Sequence, residues 1–352
     1  MVAEGPQGRA RVSLFTSTEG GAWRHSFELA RALDPARFEV ELLTRPLRAG
    51  APARRELRAA EVAHVEVEDH EALARHLLRR RSDIVQHYDS LLPILALDLV
   101  EQELGEDRPR SIQLLHANGR PRVPLDLADV VVGVSASTLR WPGAAEALAG
   151  RARVIPNGVH LGPAPRRVAG EGEAPVILAL TRLVEGKAVD AGLRALGQLE
   201  RGAWTHRIVG DGPARAQLEA LVDELGLSAR VRFVGAVDDP RPELEAADLL
   251  LSTSPSEGFG LALAEAAEAG LALVTRRAGG LSEALVHGEH ALVYDEPEQL
   301  PALLARALGD ARERGRLGAA ARRLIHARFD HAGMVRGYEA LYAELAPRTR
   351  AR

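Results

Sequence analysis

The chain contains no cysteine, which excludes disulfides, thiol nucleophiles and cysteine-ligated zinc together. Aromatic residues make up only 4% against 46% hydrophobic residues, so the core is aliphatic, built from Leu, Val and Ala. A net charge of −4 offers no basic field for a phosphate backbone, and no nucleic-acid partner is expected. No apolar run nears the ~20 residues of a spanning helix, and the beginning of the chain lacks a signal-like apolar stretch. The expected location is the cytoplasm. The common nucleotide and metal signatures are missing too: no G-x-G-x-x-G follows a strand, and there is no Walker A loop and no H-E-x-x-H. No D-x-D pair occurs to bridge Mg²⁺ or Mn²⁺ to a diphosphate, and the twelve histidines are scattered. Neither a metal nor a cofactor is expected.

What is present is a rhythm. "RVSLFTS", "FEVELLT", "DIVQHY", "SIQLLHA" and "ADVVVGVS" read as short buried strands, with helical periodicity in "SFELARALD" and "HEALARHLLRRR". Strands alternating with helices of this size imply βαβ units around a parallel sheet. The Pro- and Gly-rich stretch from Arg153 to Pro175 breaks the pattern and reads as an interdomain linker. A second series follows, from "VILALTRL" through "HRIVGDG", "VRFVGAV", "LLLSTS" and "LALVTR" to "HALVY". The expected class is α/β, with two Rossmann-like doubly wound domains. If they face each other, both sets of strand C-termini border one cleft, where ligands of open α/β sheets bind.

The stretch "SPSEGFGLALAEAAEAG" places Glu257 before a Gly-Phe-Gly turn and Glu265 in the helix after it. Gly258 and Gly260 let a ligand approach the backbone, and a helix beginning near Gly260 offers a partial positive end to phosphate. An ionised carboxylate accepts from both hydroxyls of a vicinal diol, so two glutamates flanking a phosphate site describe a nucleotide sugar. The plain alternative is that Glu257 caps the helix and Glu265 is an exposed helical residue. In "ALTRLVEGKAVD", Arg182 and Lys187 follow a strand; they are a planar fork and a point charge, two strong donors for a diphosphate without metal.

At these residues the chain resembles the retaining glycosyltransferases of family 4. The resemblance rests on "RLVEGK", "IVGDGP", "VRFVGAV", "PSEGFGLALAEAAEAG" and "AGGLSEALVHGEHALVY" in this order, with "VIPNGV" and "GGAWRHSFELARAL" before them. It spans essentially the whole chain. It implies the GT-B architecture: an acceptor-binding domain over 1–160, a nucleotide-sugar domain over 161–327, and a final helix over 328–352 crossing back to the first.

It further implies that Arg182 and Lys187 hold the diphosphate, that Glu265 reads the ribose hydroxyls and that Glu257 reads the transferred sugar. The amides of Gly258, Phe259, Gly260 and Leu261 would contact sugar and phosphate, and the backbone at Val234 and Gly235 would face the base. Gly20 and Gly21 would form a loop near phosphate and acceptor, with His116 beside the sugar. Four departures from the family pattern stand out: Ala188 where a glycine commonly follows the lysine, Thr181 where a glycine often precedes the arginine, Glu268 where the helix usually has a small residue, and "GLALVT" without its usual proline.

The expected reaction is metal-independent transfer of a sugar, from a UDP-sugar foremost, to a hydroxyl acceptor with retention. His116, Arg182, Lys187 and Glu257 form the catalytic set. A covalent route would need a carboxylate under the anomeric carbon, for which Glu19 and Asp89 are conceivable. A front-face route needs none. A nucleotide-sugar epimerase and a catalytically silent sugar-nucleotide-binding partner are the alternatives. The acceptor is expected to be a small molecule or lipid-linked. The helix "HEALARHLLRRR", with leucines at 73, 77 and 78 and arginines at 75, 79, 80 and 81, could lie on an anionic membrane surface at the inner membrane face.

Overall fold

The computed structural model describes residues 9–17, 20–48, 51–88, 90–163, 173–199 and 203–346. The chain forms two compact units, one running to Asn157 and resuming at Ala332, the other Gly158–His331.

In the first unit the order is β1 (Ala10–Phe15), α1 (Gly20–Ala32), β2 (Phe38–Thr44), α2 (Pro52–Ala60), β3 (His64–Glu66), α3 (His70–Arg80), β4 (Ile84–Tyr88), α4 (Leu91–Leu104), β5 (Arg110–Leu115), β6 (Val130–Gly133), α5 (Ala144–Leu148) and β7 (Ala152–Val154). The seven strands are all parallel, in the order β3-β2-β1-β4-β5-β6-β7.

The second unit contains β8 (Val176–Leu180), α6 (Val189–Gly197), β9 (Thr205–Val209), α7 (Arg215–Glu224), β10 (Val231–Gly235), α8 (Arg241–Glu245), β11 (Leu249–Ser252), α9 (Leu261–Glu268), β12 (Ala272–Arg276), β13 (Leu292–Tyr294), α10 (Leu300–Gly309) and α11 (Ala311–Arg328). Its six parallel strands run β10-β9-β8-β11-β12-β13. The last helix, α12 (His331–Leu345), returns to the first unit. There Tyr342, fully buried, donates to Oε1 of Gln86 at 2.7 Å.

One device recurs in both sheets. An aspartate stands directly before β4, β6 and β11, and its carboxylate accepts from the backbone N–H of the first or second residue of the neighbouring strand. Asp83 takes Arg11 at 2.8 Å, Asp129 takes Ser111 at 2.7 Å and Asp248 takes Val176 at 2.7 Å. A one-residue slip would cost each carboxylate its partner, so these clamps help fix register.

The structure bears on two expectations. In α3, Leu73 and Leu77 are buried and Leu78 is partly buried in a core shared with α4. Arg80 turns in to Glu39 and to the buried Glu41, and Arg75 pairs with Glu71. The apolar face of this helix is therefore the core face. The expected linker also begins late, because Arg153 and Val154 belong to β7. Beyond it Val159 pairs with the returning chain, accepting from His331 N and donating to Phe329 O, both at 2.9 Å. Residues 164–172 lie outside those described. No described helix is long and apolar enough to cross a membrane.

Candidate functional site

In the second unit the chain order reverses between β8 and β11, which are neighbours in the sheet. The crevice beyond the carboxyl ends of two such strands is where doubly wound folds bind ligands. Arg182 and Lys187 follow β8, and Glu257 follows β11. The sequence has thus put its two cations and one of its two glutamates on opposite lips of that crevice.

The β8 lip is held by close backbone packing. Thr181 N donates to Val209 O at 3.0 Å, Leu183 N to Asp211 O at 2.9 Å and Ala214 N to Leu183 O at 3.0 Å. This approach requires Gly210, at φ +129, since a Cβ there would sit 1.9 Å from Thr181 O. The glycine of "IVGDGP" is thus explained by packing, and it leaves Arg182 exposed between two anchored residues. Glu185–Lys187 form a single tight turn closed by Lys187 N to Val184 O at 3.0 Å.

Lys187 is the one lysine of the chain; every other basic side chain of its kind is an arginine. Its Nζ donates to Oε1 of Glu257 at 2.6 Å, and both side chains are half-buried. Ala188 follows in the left-handed region, φ 49 and ψ 40. An L-residue there costs roughly 1–2 kcal/mol that glycine does not.

The β11 lip is buttressed from the loop after β12. Glu257 N donates to Ala278 O at 2.7 Å and Leu281 N to Phe259 O at 2.8 Å. Gly280 admits this contact, since a Cβ on it would lie 2.4 Å from Phe259 O. Helix α9 begins after Gly260 with no side-chain cap and no acidic residue in its first turn, which leaves amide N–H groups directed at the crevice. Glu265 lies one turn past Leu261, half-buried between the buried Ala264 and Ala266. It therefore answers neither to the helix dipole nor to capping. Val234 and Gly235 lie on the same edge, with Gly210 N donating to Gly235 O at 2.8 Å.

In the first unit the order reverses between β1 and β4. Gly20 and Gly21 open α1 just after β1, both exposed. His116 follows β5. It is half-buried, but its Nε2 is shut off from solvent and has no hydrogen-bond partner among the described residues. Burial, and then the adjacent His25 ring at 5.2 Å, lower its pKa from 6.5 to about 3, so the imidazole is neutral. His25 in turn meets Asn157 Oδ1 through Nδ1 at 2.9 Å. Glu19 and Asp89 lie outside the described residues.

Sequence reasoning missed several supports of the site: Gly210, Gly280, Thr253 and the His25–Asn157 pair. The glycines stood inside quoted motifs but carried no assigned role. The solitary lysine was a signal in plain view.

Comparison with known proteins completes the picture. Residues 164–324 match the family described as glycosyl transferases group 1. The chain is 28% identical over 345 residues to a lipopolysaccharide core biosynthesis glycosyltransferase, LpsD, of Rhizobium meliloti, covering 92% of this chain and 95% of that one. It is 35% identical over 185 residues to the D-inositol 3-phosphate glycosyltransferase of Thermobispora bispora, covering 46% and 43%. The crystal structure of a glycosyltransferase from Rickettsia africae superposes with a TM-score of 0.82 at 16% identity, over 97% of this chain and 100% of that one. Anabaena HepE in complex with UDP-glucose gives 0.78 at 20% identity, over 95% and 99%. The fold is thus that of the GT-B glycosyltransferases.

Proposed function

We propose that this chain, a glycosyltransferase carrying the group 1 domain, moves a sugar from a nucleoside-diphosphate sugar to a hydroxyl acceptor, with retention and without a divalent metal. The observation that carries the reading is the single lysine, paired with Glu257 at the reversal point of the second sheet. A chain that uses arginine wherever a generic positive charge suffices keeps an ammonium point charge here. That is the donor suited to one phosphate oxygen, with the fork of Arg182 beside it for an oxygen pair.

The donor diphosphate would lie against Arg182, Lys187 and the amides from Gly258 to Leu261. Glu265 would accept from the ribose hydroxyls and Glu257 from the sugar hydroxyls, with the base along Val234 and Gly235. The first unit would supply the acceptor site, with Gly20 and Gly21 at its edge and neutral His116 positioning the sugar by a hydrogen bond. In the front-face route the bond from the anomeric carbon to the diphosphate oxygen breaks first. The acceptor oxygen then bonds to the same face, and its proton passes to the departing phosphate. Arg182 and Lys187 stabilise the charge that develops on the leaving group. UDP is the expected nucleotide, supported by the fold shared with HepE in its UDP-glucose complex.

Because Lys187 is the sole lysine, reductive methylation with ¹³C-formaldehyde labels one side chain, and the α-amine gives the other signal. Titration with UDP, GDP, ADP and TDP, each with and without Mg²⁺, reads the site directly. Movement of the Lys187 signal with one nucleotide, independent of metal, is expected. A signal that ignores all four nucleotides overturns the assignment. Release of UDP from UDP-glucose only when acceptor is present then separates transfer from epimerisation.

A further inference from the structure

We infer that Thr253 is a positioning residue for Lys187: its hydroxyl holds the Lys187–Ala188 peptide in the left-handed turn that aims the ammonium group. Nothing in the motifs around it assigns Thr253 a role. It is the first residue after β11, buried at 7% exposure, and its Oγ1 donates to the backbone carbonyl of Lys187 at 3.1 Å. In a continuous helix that carbonyl would take the N–H of Ala191, but Ala191 N donates to Ala188 O at 3.1 Å instead. The turn around Ala188 has therefore withdrawn the normal partner of Lys187 O, and Thr253 replaces it.

Two further features make the contact look built. Gly192 of α6 faces β11 so closely that a Cβ would lie 3.2 Å from Thr253 Cγ2 and from Leu251 Cδ2. This absence of a side chain lets the start of α6 close on the strand end within reach of the hydroxyl. Ala188, in turn, holds a conformation that a glycine would hold without strain. A strained turn persists only where its surroundings over-determine it. Here the surroundings are the bonds Lys187 N to Val184 O, Ala188 N to Glu185 O at 2.9 Å, and the Thr253 hydroxyl. The result is a lysine whose Nζ meets Glu257, four residues beyond Thr253 on the loop after β11.

The inference rests on the donor reading above for its functional consequence, but not for its structural one. The test uses the full chain in four variants, Thr253→Val, Thr253→Ser, Ala188→Gly and the double Ala188→Gly/Thr253→Val, with melting curves to establish that each folds. In the ligand-free protein the ¹³C-methyl signal of Lys187 reports its pairing with Glu257. Thr253→Val should move it, and Thr253→Ser should restore it.

With UDP as the probe, Thr253→Val should weaken binding about five-fold, the scale of one neutral hydrogen bond. The KM for UDP-glucose should rise in step, with kcat nearly unchanged. Glycine at 188 relaxes the turn, so adding Thr253→Val to Ala188→Gly should cost much less than it costs alone. Equal losses in both backgrounds, or an unmoved Lys187 signal in Thr253→Val, would overturn the inference. Failure of the wild-type chain to bind UDP would instead sink the donor reading. The ligand-free signal would still decide whether Thr253 positions Lys187.

Discussion

Nζ of Lys187 and Oε1 of Glu257 lie 2.6 Å apart, so the cation proposed for the diphosphate and the carboxylate proposed for the sugar neutralise each other. Phosphate entering the crevice must compete with Glu257 for that ammonium group. Glu257→Gln removes the competing charge and keeps the shape. UDP should then bind more tightly, by about five-fold, while sugar transfer falls by about 100-fold as the sugar loses its orienting acceptor. Calorimetry with UDP beside turnover of UDP-glucose measures both. Parallel losses in the two assays would show that Glu257 supports the loop and does not read the sugar.

Lys187→Arg is the substitution this arginine-rich chain would be expected to tolerate, and we expect it not to. The guanidinium needs two coplanar acceptors and more room than the half-buried turn gives. The KM for donor should rise about ten-fold or more, the size of one charge-assisted hydrogen bond. Near-normal kinetics would mean that only positive charge is required at this position.

Much of the fold was legible because the strands are short aliphatic runs. "VILAL", "LLLS" and "ALVTR" are buried from both faces, and such runs advertise a parallel sheet. What escaped notice had weak local signals. The three-residue strand Ala152–Val154 carries an arginine and pairs on one side only. Helix α4 is apolar over its first two turns and carries its polar residues, Asp98, Glu101, Gln102 and Glu103, in its second half, so its sequence advertises no single face. Helix α3 shows the opposite failing: its amphipathic pattern is plain, but periodicity alone does not say whether the apolar side meets lipid or core. At the site, charge and glycine spacing picked out Arg182, Lys187, Glu257 and Glu265. The partners that hold them bond to backbone atoms, Thr253 through its hydroxyl and Ala278 through its carbonyl, and leave no pattern in sequence.

Glu268 departs from the small residue expected in α9, and the structure gives it work. Its carboxylate accepts from Gly162 N at 2.9 Å and from Arg322 at 3.2 Å, while Arg322 also donates to Gly162 O at 2.7 Å. Glu268→Ala should loosen residues 159–163 and lower stability by about 1.5–3 kcal/mol, as for a lost hydrogen bond to a charged group. Hydrogen exchange at Gly162 and urea unfolding measure the two effects. Unchanged exchange there would show that Arg322 alone suffices.

Asp129 ties stability to acid. Burial raises its pKa, but hydrogen bonds from Arg108 and Ser111 N, with the charges of Arg108 and Arg110, outweigh this and hold it below the usual 3.8. The unfolded chain therefore takes up this proton first as pH falls. The contribution of Asp129 is complete above the unfolded value and is lost as pH drops through the folded one. Asp129→Asn should lower the melting temperature at neutral pH and flatten its acid dependence below about pH 4. A variant as acid-sensitive as the wild type would show that Asp129 does not tie stability to acid.

Two histidines act over a higher range and in the same direction. Burial lowers His116 to about 3, with His25 adding to the effect, and lowers His206 to about 4 against an opposing bond to Ile177 O. Both stay neutral in the folded chain while their unfolded counterparts protonate near 6.5, so stability should fall as pH drops from about 6.5 toward 4. His206→Gln should lessen the decline in melting temperature between about pH 7.5 and pH 5. Catalysis should differ: with His116 neutral throughout, kcat/KM should show no inflection from this group over that range. An inflection in kcat near the ordinary histidine value that disappears in His116→Asn would mean the bound donor recharges the imidazole. His116 would then serve as a cation toward the leaving phosphate, not as a neutral guide for the sugar.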